Sequence, residues 1–280
     1  MHTRPIPSSG EPLPAIGCGT YVGFDAQPDE AANERLSGVL DALFSAGGNV
    51  IDSSPMYGRA EGMVGELLAA RRASRAFIAT KVWTRGREAG IDQMRRSMAL
   101  LRTDRIDLMQ VHNLVDWKVH LRILREWKEL GRIRYLGVTH YTSSAYADLE
   151  RVLRSEALDF VQLNYSIADR SAEQRLLPLA AEWGVAVIAN LPLGSGQVLR
   201  SVQGRALPGW AREELSCTSW AELLLKYVVG HASVTCAIPG TGQATHMADN
   251  ARAGLGPIPG NAQRARILEC WSRDPNGRRS

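Results

Sequence analysis

The chain has 280 residues, of which 45% are apolar, and a formal net charge of +4 at pH 7. This length suits one large α/β domain or two small ones, and the apolar content is ample for a full core. The basic residues are scattered, without a basic block or interleaved aromatic residues, so nucleic-acid binding is not expected. The mildly basic surface instead suits an anionic ligand.

Metal sites, disulfides and membrane spans are not expected either. The cysteines lack the paired CxxC spacing of zinc sites and the pattern of a disulfide framework. They are Cys18, Cys217, Cys236 and Cys270. The N-terminus has no apolar signal-peptide stretch, and the longest uncharged stretches, 183–199 and 227–248, are interrupted by Gly, Pro, Asn and His. The sequence therefore predicts a soluble, cytoplasmic protein without a bound metal.

Strand-like apolar runs alternate with helical patterns along the chain. The first run is AIGCGT (15–20), and the later ones begin near Val50, Phe77, Ile106, Tyr135, Phe160, Ala186 and Thr235. Helical patterns lie between them at 30–45, 61–72, 91–101, 119–130, 146–155, 173–183, 219–229 and 246–254. Eight such βα units predict a parallel sheet closed into a (β/α)8 TIM barrel. Nothing resembles a linker, so the sequence predicts a single domain over 1–280.

Three segments depart from this regular alternation. Residues 3–14 hold two short runs around SSGEP, which predict a hairpin that plugs the bottom of the barrel. Residues 194–217 form a long connection on the catalytic face, and long connections in compact domains are often functional. The chain beyond Pro257 predicts one more helix, AQRARILECW, and part of the tail 263–280 is expected to be flexible.

Four polar residues stand at, or just beyond, the C-terminal ends of three successive apolar runs: Asp52, Tyr57, Lys81 and His112. Strand ends of this kind meet on the catalytic face of a barrel. Taken singly, Asp52 would be a turn or helix cap, Tyr57 a core residue and His112 a residue of the barrel rim. Together, Lys81 would favour the phenolate of Tyr57, Asp52 would hold Lys81, and His112 would bind an incoming oxygen. Such a group suits proton donation to a carbonyl.

With its flanking motifs, the chain resembles the aldo-keto reductases from about residue 13 to 255. The motifs are IGCGT (16–20), VIDSSPMYG (50–58), TK (80–81), QVHN (110–113), GRIRYLGV (131–138), VQLNYS (161–166) and IPGT…MADN (238–250). The resemblance implies a catalytic tetrad in which Tyr57 protonates the carbonyl oxygen while a nicotinamide delivers hydride. It also implies that Lys81 lowers the Tyr57 pKa, that Asp52 orients Lys81, and that His112 orients and polarises the carbonyl.

The resemblance further implies a cofactor site along the same face of the barrel. Its residues would be Gly19, Thr20, Tyr21, Asp52, Thr139, His140, Gln162, Asn190, Pro192, Leu193, Gly194, Gly196, Ile238, Pro239, Gly240, Thr241, His246, Asp249 and Asn250. Thr139-His140 stands where the family commonly has Ser-Asn, and Asn190 where many members stack an aromatic ring under the nicotinamide. Gly240 and His246 replace two cations that often clamp the 2′-phosphate of NADP. NADP(H) is the expected cofactor because the family commonly uses it, and NAD(H) remains an alternative because those cations are missing.

The substrate pocket is expected to be rich in aromatic side chains. Its predicted walls are Tyr21, Tyr57, Trp83, His112, Asn113 and Tyr141, with Trp117, Trp210 and Trp271 as further candidates. Aromatic walls around one polar centre favour an apolar or aromatic carbonyl compound. The small-molecule partner is therefore expected to be a carbonyl or alcohol, and the protein a monomer or small homo-oligomer.

Three functions remain open at this stage. The first is an NAD(P)(H)-dependent oxidoreductase that reduces an aldehyde or ketone to an alcohol, of the alcohol dehydrogenase or carbonyl reductase type. The second is a regulatory subunit that binds and senses NADP(H). The third keeps the barrel and uses Tyr57 and Lys81 for redox-neutral lyase or isomerase chemistry. The tetrad favours the first, whereas Asn190 and Thr139-His140 keep the third open.

Overall fold

A closed barrel of parallel strands forms the centre of the molecule, whose computed structural model describes residues 1–71 and 76–273. The chain opens with an antiparallel hairpin of β1 (Thr3–Pro5) and β2 (Pro12–Pro14). The barrel strands follow in sequence order: β3 (Cys18–Gly19), β4 (Val50–Asp52), β5 (Phe77–Val82), β6 (Ile106–His112), β7 (Ile133–His140), β8 (Phe160–Asn164), β9 (Ala186–Asn190) and β10 (Cys236–Ala237). Parallel bridges from Ile16 to Ala237 and from Gly19 to Gly240 join the first strand to the last. The predicted (β/α)8 barrel is confirmed.

The N-terminal hairpin closes the end of the barrel at which the strands begin. Ile6 and Leu13 are fully buried and join the interior cluster of Phe77, Tyr135 and Phe160. The ring centroids of these three aromatics lie 5.6–6.1 Å apart. Burying each such aliphatic side chain contributes about 1.5–3 kcal/mol. The predicted plug is therefore present, and it leaves the opposite end of the barrel free for a site.

Helices surround the barrel and connect its strands. They are α1 (Glu30–Ser45), α2 (Ala60–Ala69), α3 (Arg87–Leu100), α4 (Trp117–Glu129), α5 (Tyr146–Ser155), α6 (Leu176–Glu182), α7 (Gln197–Arg200), α8 (Gly209–Leu215), α9 (Trp220–Val229), α10 (Ala244–Arg252) and α11 (Asn261–Ser272). The Asp29 carboxylate caps α1 by accepting a hydrogen bond from the Ala32 N–H at 2.8 Å. A capping box of Ser219 and Glu222 begins α9. These caps satisfy N–H groups that each helix would otherwise leave unpaired.

The long connection 194–217 contains more helix than the sequence predicts, because it includes α7 and α8. The helix that the sequence predicts beyond Pro257 is present as α11. The tail that is expected to be partly flexible, 263–280, begins inside α11, and its last residues, 274–280, lie outside the described residues. So does position 72, the end of the helix predicted over 61–72. Within 1–71 and 76–273, no helix has the length and apolar character needed to cross a membrane. The single domain over 1–280 stays a prediction.

Candidate active site

Three neighbouring strands bring the predicted tetrad together. Asp52 is the last residue of β4, Lys81 lies near the end of β5, and His112 is the last residue of β6. In register, Asp52 pairs with Ala79 and Lys81 with Gln110, so the side chains occupy the same end of the sheet. Tyr57 stands on the connection from β4 to α2. Parallel strands all end on one face, which is why residues far apart in sequence meet here.

Lys81 and Asp52 form a buried ion pair. Their side chains are 1% and 2% exposed, and Nζ lies 2.9 Å from Oδ1 and 2.7 Å from Oδ2. Nζ also donates to the Ser53 carbonyl at 2.6 Å. Burial is the largest single influence and lowers the pKa of Lys81, but Asp52 together with Tyr57 and Glu61 outweighs it, and the net pKa is raised. Lys81 is therefore an ammonium ion at neutral pH, held by three acceptor atoms.

Tyr57 lies next to this ammonium ion. The Lys81 Nζ is 5.3 Å from the Tyr57 ring centroid. Burial raises the pKa of Tyr57, Lys81 opposes that rise, and the pKa remains above its ordinary value. Lys81 thus acts in the direction expected from the sequence, and desolvation of the phenol, which the sequence does not show, is the larger influence. The phenol keeps its proton and is available as a donor.

His112 is a neutral imidazole beside the phenol. Its ring centroid is 6.1 Å from that of Tyr57, with the planes at 86°. Burial, followed by the Lys81 charge, lowers the pKa of His112 to about 3. The Ser54 hydroxyl lies 3.0 Å from Nδ1, and in the tautomer in which the hydroxyl donates, the imidazole proton is on Nε2. His112 can then donate a hydrogen bond to an oxygen. Ser54 was missed in the sequence, although it stands two positions beyond Asp52.

A chain of amides supports the Asp52 carboxylate from inside the barrel. Gln162 Nε2 donates to Asp52 Oδ2 at 3.2 Å, and Gln110 Nε2 donates to Gln162 Oε1 at 2.5 Å. All three residues are buried. Gln162, predicted to bind the cofactor, is thus engaged with the tetrad in this structure. Gln110 is a further residue that the sequence did not single out, since its neighbour Gln162 comes from a distant strand.

Unpaired amide oxygens mark the edge where the nicotinamide is expected. The Oδ1 atoms of Asn164 and Asn190 are buried and have no hydrogen-bond partner within the described chain. These two residues end β8 and β9 and pair with each other in register. A buried acceptor left unpaired costs about 1–3 kcal/mol, so a ligand that brings an N–H group fits this edge. A nicotinamide carboxamide carries such a group.

His140 and Thr139 occupy the end of β7 next to that edge. Thr139 is buried and pairs with Gln162 in register. The His140 ring lies parallel to Tyr141, with centroids 5.7 Å apart and planes at 8°. Its Nδ1 accepts a hydrogen bond from the Thr142 N–H at 3.3 Å. The imidazole is therefore held by its own loop, and its flat face is supported by a tyrosine.

The remaining expected cofactor residues lie at strand ends, in the connections that follow β3, β9 and β10, or in α10. They are Gly19, Thr20, Tyr21, Pro192, Leu193, Gly194, Gly196, Ile238, Pro239, Gly240, Thr241, His246, Asp249 and Asn250. Gly19 and Gly240 approach each other closely, and a Cβ on Gly19 would come within 3.0 Å of the Ile238 carbonyl. Asp249 is already bound to Ser219 Oγ at 2.8 Å and to Arg252 at 2.7 Å. His246 is exposed.

An arginine from α1 contacts the connection that follows β10. Arg35 donates from a terminal guanidinium nitrogen to the Gly242 carbonyl at 2.7 Å. No carboxylate in the described part of the chain forms an ion pair with it. The segment 240–246, which lacks the two expected cations, therefore has a cation beside it from a different helix. The sequence contains no signal for this contact, because only the packing of α1 against α10 creates it.

Exposed aromatic side chains lie beside the tetrad and on the loop that follows β7. Tyr21, Trp83 and Tyr141 are 62%, 41% and 55% exposed. The Tyr21 ring lies 5.0 Å from the Tyr57 ring, and the Trp83 ring 6.3 Å from the His112 ring. Asn113 follows β6 directly, with a left-handed backbone and an unpaired buried Oδ1. Large exposed apolar groups beside polar ones are typical of a ligand surface.

The other aromatic candidates have different contacts. Trp210 stacks on the Arg266 guanidinium at 4.1 Å, and Trp271 Nε1 donates to Ser201 Oγ at 3.0 Å. Trp117 is the first residue of α4 and packs against the core. Among the described residues, no contact connects these three to the tetrad.

A large cavity lies at the other end of the barrel. It has a volume of 860 Å³, and Pro7 of the hairpin connection lines it together with Asp159 and Val185, which precede β8 and β9. None of the predicted site residues lines this cavity. The described residues also contain no group of three or more His, Cys, Asp or Glu side chains arranged to hold a metal ion. The predicted site residues therefore lie away from this cavity, on the face that carries the tetrad.

The sequence matches the aldo/keto reductase family over residues 15–263, and the chain belongs to that family of oxidoreductases. It is similar to methylglyoxal reductase YeaE of Escherichia coli (strain K12), with 29% identity over 262 residues, covering 90% of this chain and 89% of that protein. It is also similar to an NADH-specific methylglyoxal reductase of the same organism, with 25% identity over 246 residues, covering 76% of this chain and 73% of that protein. The resemblance inferred from the motifs is confirmed.

A solved structure has the same fold. It is an aldo-keto reductase from Klebsiella pneumoniae in complex with NADPH, with a TM-score of 0.80 and 24% sequence identity. The match covers 100% of this chain and 99% of that chain. The barrel and its surrounding helices therefore follow an architecture already known from experiment.

Proposed function

We propose that the protein is a nicotinamide-dependent reductase of aldehydes or ketones in which Tyr57 is the general acid. The observation that carries this proposal is the protonated Tyr57 phenol beside the buried Lys81–Asp52 pair. A donor that keeps its proton until substrate arrives, next to a fixed positive charge, is suited to a reaction that creates negative charge on oxygen. Two relatives that reduce methylglyoxal support the same chemistry.

In this mechanism the chain places a proton and stabilises the charge left behind. A carbonyl oxygen within reach of both Tyr57 and His112 accepts a hydrogen bond from each. Tyr57 then transfers its proton to that oxygen, and the Lys81 ammonium stabilises the tyrosinate that results. Asp52 keeps Lys81 in place, and Gln162 and Gln110 keep Asp52 in place. A bound nicotinamide supplies the hydride to carbon. Oxidation of an alcohol follows the same path in reverse.

NADP(H) is the proposed cofactor. The unpaired Oδ1 atoms of Asn164 and Asn190 fit a carboxamide, and Arg35 supplies positive charge beside 240–246. The solved neighbour contains NADPH, whereas one relative is NADH-specific. Because Gly240 and His246 stand where the family often has Lys or Arg, preference for the 2′-phosphate rests on Arg35. A modest preference is therefore expected.

A binding titration and a turnover assay test the proposal. Quenching of tryptophan fluorescence by NADPH and by NADH measures both affinities, and the loss of NADPH absorbance with methylglyoxal or an aromatic aldehyde measures turnover. We expect binding of both cofactors and turnover with at least one carbonyl. Binding without turnover on a wide carbonyl panel would instead indicate an NADP(H)-sensing subunit. Product formed without any change in nicotinamide absorbance would indicate lyase or isomerase chemistry.

A further inference from the structure

The connection from β5 to α3 is held by the side-chain amide of Gln93. Gln93 Oε1 accepts a hydrogen bond from the Trp83 N–H at 2.5 Å, and Gln93 Nε2 donates to the Trp83 carbonyl at 3.2 Å. One side chain thus pairs both backbone groups of one residue, as a neighbouring β-strand would. Gln93 lies on α3, so it connects the position of Trp83 to a helix that packs on the barrel.

Two more contacts hold the same connection. Asp116, at the start of α4, accepts from the Gly86 N–H at 2.8 Å, and His120 Nε2 lies 2.8 Å from the Thr84 carbonyl. His120 is fully buried, and a Cβ on Gly90 would come within 2.6 Å of its ring. The connection is therefore attached to both α3 and α4, which restrains its backbone.

These contacts do not serve to bury Trp83. Its side chain is 41% exposed, so the indole gains only part of the stabilisation of a core residue. The ring faces the tetrad, with its centroid 6.3 Å from that of His112. A large exposed ring on a loop normally samples several orientations, and holding its backbone reduces that freedom. The contacts keep an apolar surface at a set distance from the group that orients the carbonyl.

We infer that Gln93 is a positioning residue that holds Trp83 as a wall for a planar apolar substituent on the carbonyl substrate. This inference rests on the proposed function. A flat group attached to the carbonyl carbon would lie against the indole while the oxygen contacts Tyr57 and His112. Small carbonyl compounds do not reach the wall and gain nothing from it. Gln93 therefore favours aryl over small alkyl carbonyl substrates without touching either.

Comparison of phenylglyoxal with methylglyoxal tests this role, because the two substrates differ only in carrying a planar phenyl group or a methyl group. In Gln93→Met, which keeps length and removes the amide, we expect the KM for phenylglyoxal to rise about tenfold, the factor that corresponds to one or two lost hydrogen bonds. The KM for methylglyoxal and both kcat values should stay unchanged. Gln93→Glu, which keeps the acceptor for the Trp83 N–H and loses the donor, should have an intermediate effect. Asp92→Asn, one position away on the exposed side of α3, is the matched control and should change nothing.

A double-mutant cycle separates positioning from a general structural effect. Trp83→Ala alone should raise the KM for phenylglyoxal, and adding Gln93→Met to it should have no further effect. A rise in KM for both substrates, a fall in kcat, or an additive effect in the Trp83→Ala background would overturn the inference. If Gln93→Met does not fold, Gln93→Glu in the same cycle gives the same test. Absence of turnover with either substrate in the unmodified protein would instead contradict the proposed function.

Discussion

The tetrad and the edge expected to bind the cofactor differ in how completely their polar groups are paired. Lys81 and Asp52 are nearly inaccessible to solvent, and their charged atoms have partners from three strands. At the cofactor edge, Asn164 and Asn190 hold unpaired acceptors, and His246 is exposed. The Lys81–Asp52 pair is complete in the protein alone, whereas the neighbouring edge has groups left for a ligand. A preorganised centre does not have to rearrange during the reaction.

The largest effect is expected from Tyr57→Phe, which removes one oxygen from the centre of the tetrad. Because the phenol is the proposed proton donor, kcat/KM for carbonyl reduction should fall by about 10²–10⁴. The affinity for NADPH, measured by fluorescence quenching, should remain within about twofold of the unmodified protein. A variant that keeps most of its turnover would show that the acid is a different group. Loss of cofactor binding would show that Tyr57 also belongs to the edge that binds the cofactor.

Lys81→Met should affect both turnover and stability. It leaves the Asp52 carboxylate buried without its cation, which costs about 3–5 kcal/mol in the free energy of unfolding. Urea denaturation measures this loss, and steady-state assays measure the loss of turnover. The double variant Asp52→Asn with Lys81→Met removes both charges, so it should recover much of the stability while turnover stays low. Recovery of turnover in that variant would contradict the role of Lys81.

Arg35→Ala tests the cofactor edge and should have a smaller effect. Loss of one charge-assisted contact to a 2′-phosphate should weaken NADPH binding about tenfold. NADH, which lacks that phosphate, should bind as before. Arg35→Lys should retain most of the affinity, and Arg151→Ala on the surface of α5 controls for the change in net charge. An equal loss for both cofactors would indicate that Arg35 supports the fold of 240–246 rather than the phosphate.

The smallest effect is expected in the pH dependence of kcat/KM for carbonyl reduction. The pKa of His112 is about 3, so the imidazole stays neutral throughout the range from pH 5 to 8. The Tyr57 pKa is raised, so the acid form required for reduction is present below that pKa and is lost only as the pH rises through it. We therefore expect kcat/KM to be flat between pH 5 and 8 and to decline on the alkaline side. A limb near neutrality that disappears in His112→Asn would show that His112 acts as an imidazolium ion.

Most of the barrel and the tetrad were predictable because they depend on local patterns. Alternating strands and helices define the fold, and Asp52, Lys81 and His112 each stand at the end of a strand. Parallel strands bring such positions together whatever their separation in sequence. The direction of the Tyr57 pKa shift was not predictable, because it depends on the balance between burial and the Lys81 charge. The sequence shows that Lys81 is positively charged, but it does not show how deeply the Tyr57 phenol is buried.

The sequence by itself determined the barrel, the hairpin at its base and the four residues of the tetrad, because periodicity and strand-end motifs are local properties of the chain. Only the tertiary structure decided which other residues act on them. Ser54 beside His112, Gln93 behind Trp83 and Arg35 at Gly242 are defined by contacts between separate elements. Such contacts depend on the packing of helices around the barrel, and no local pattern records them.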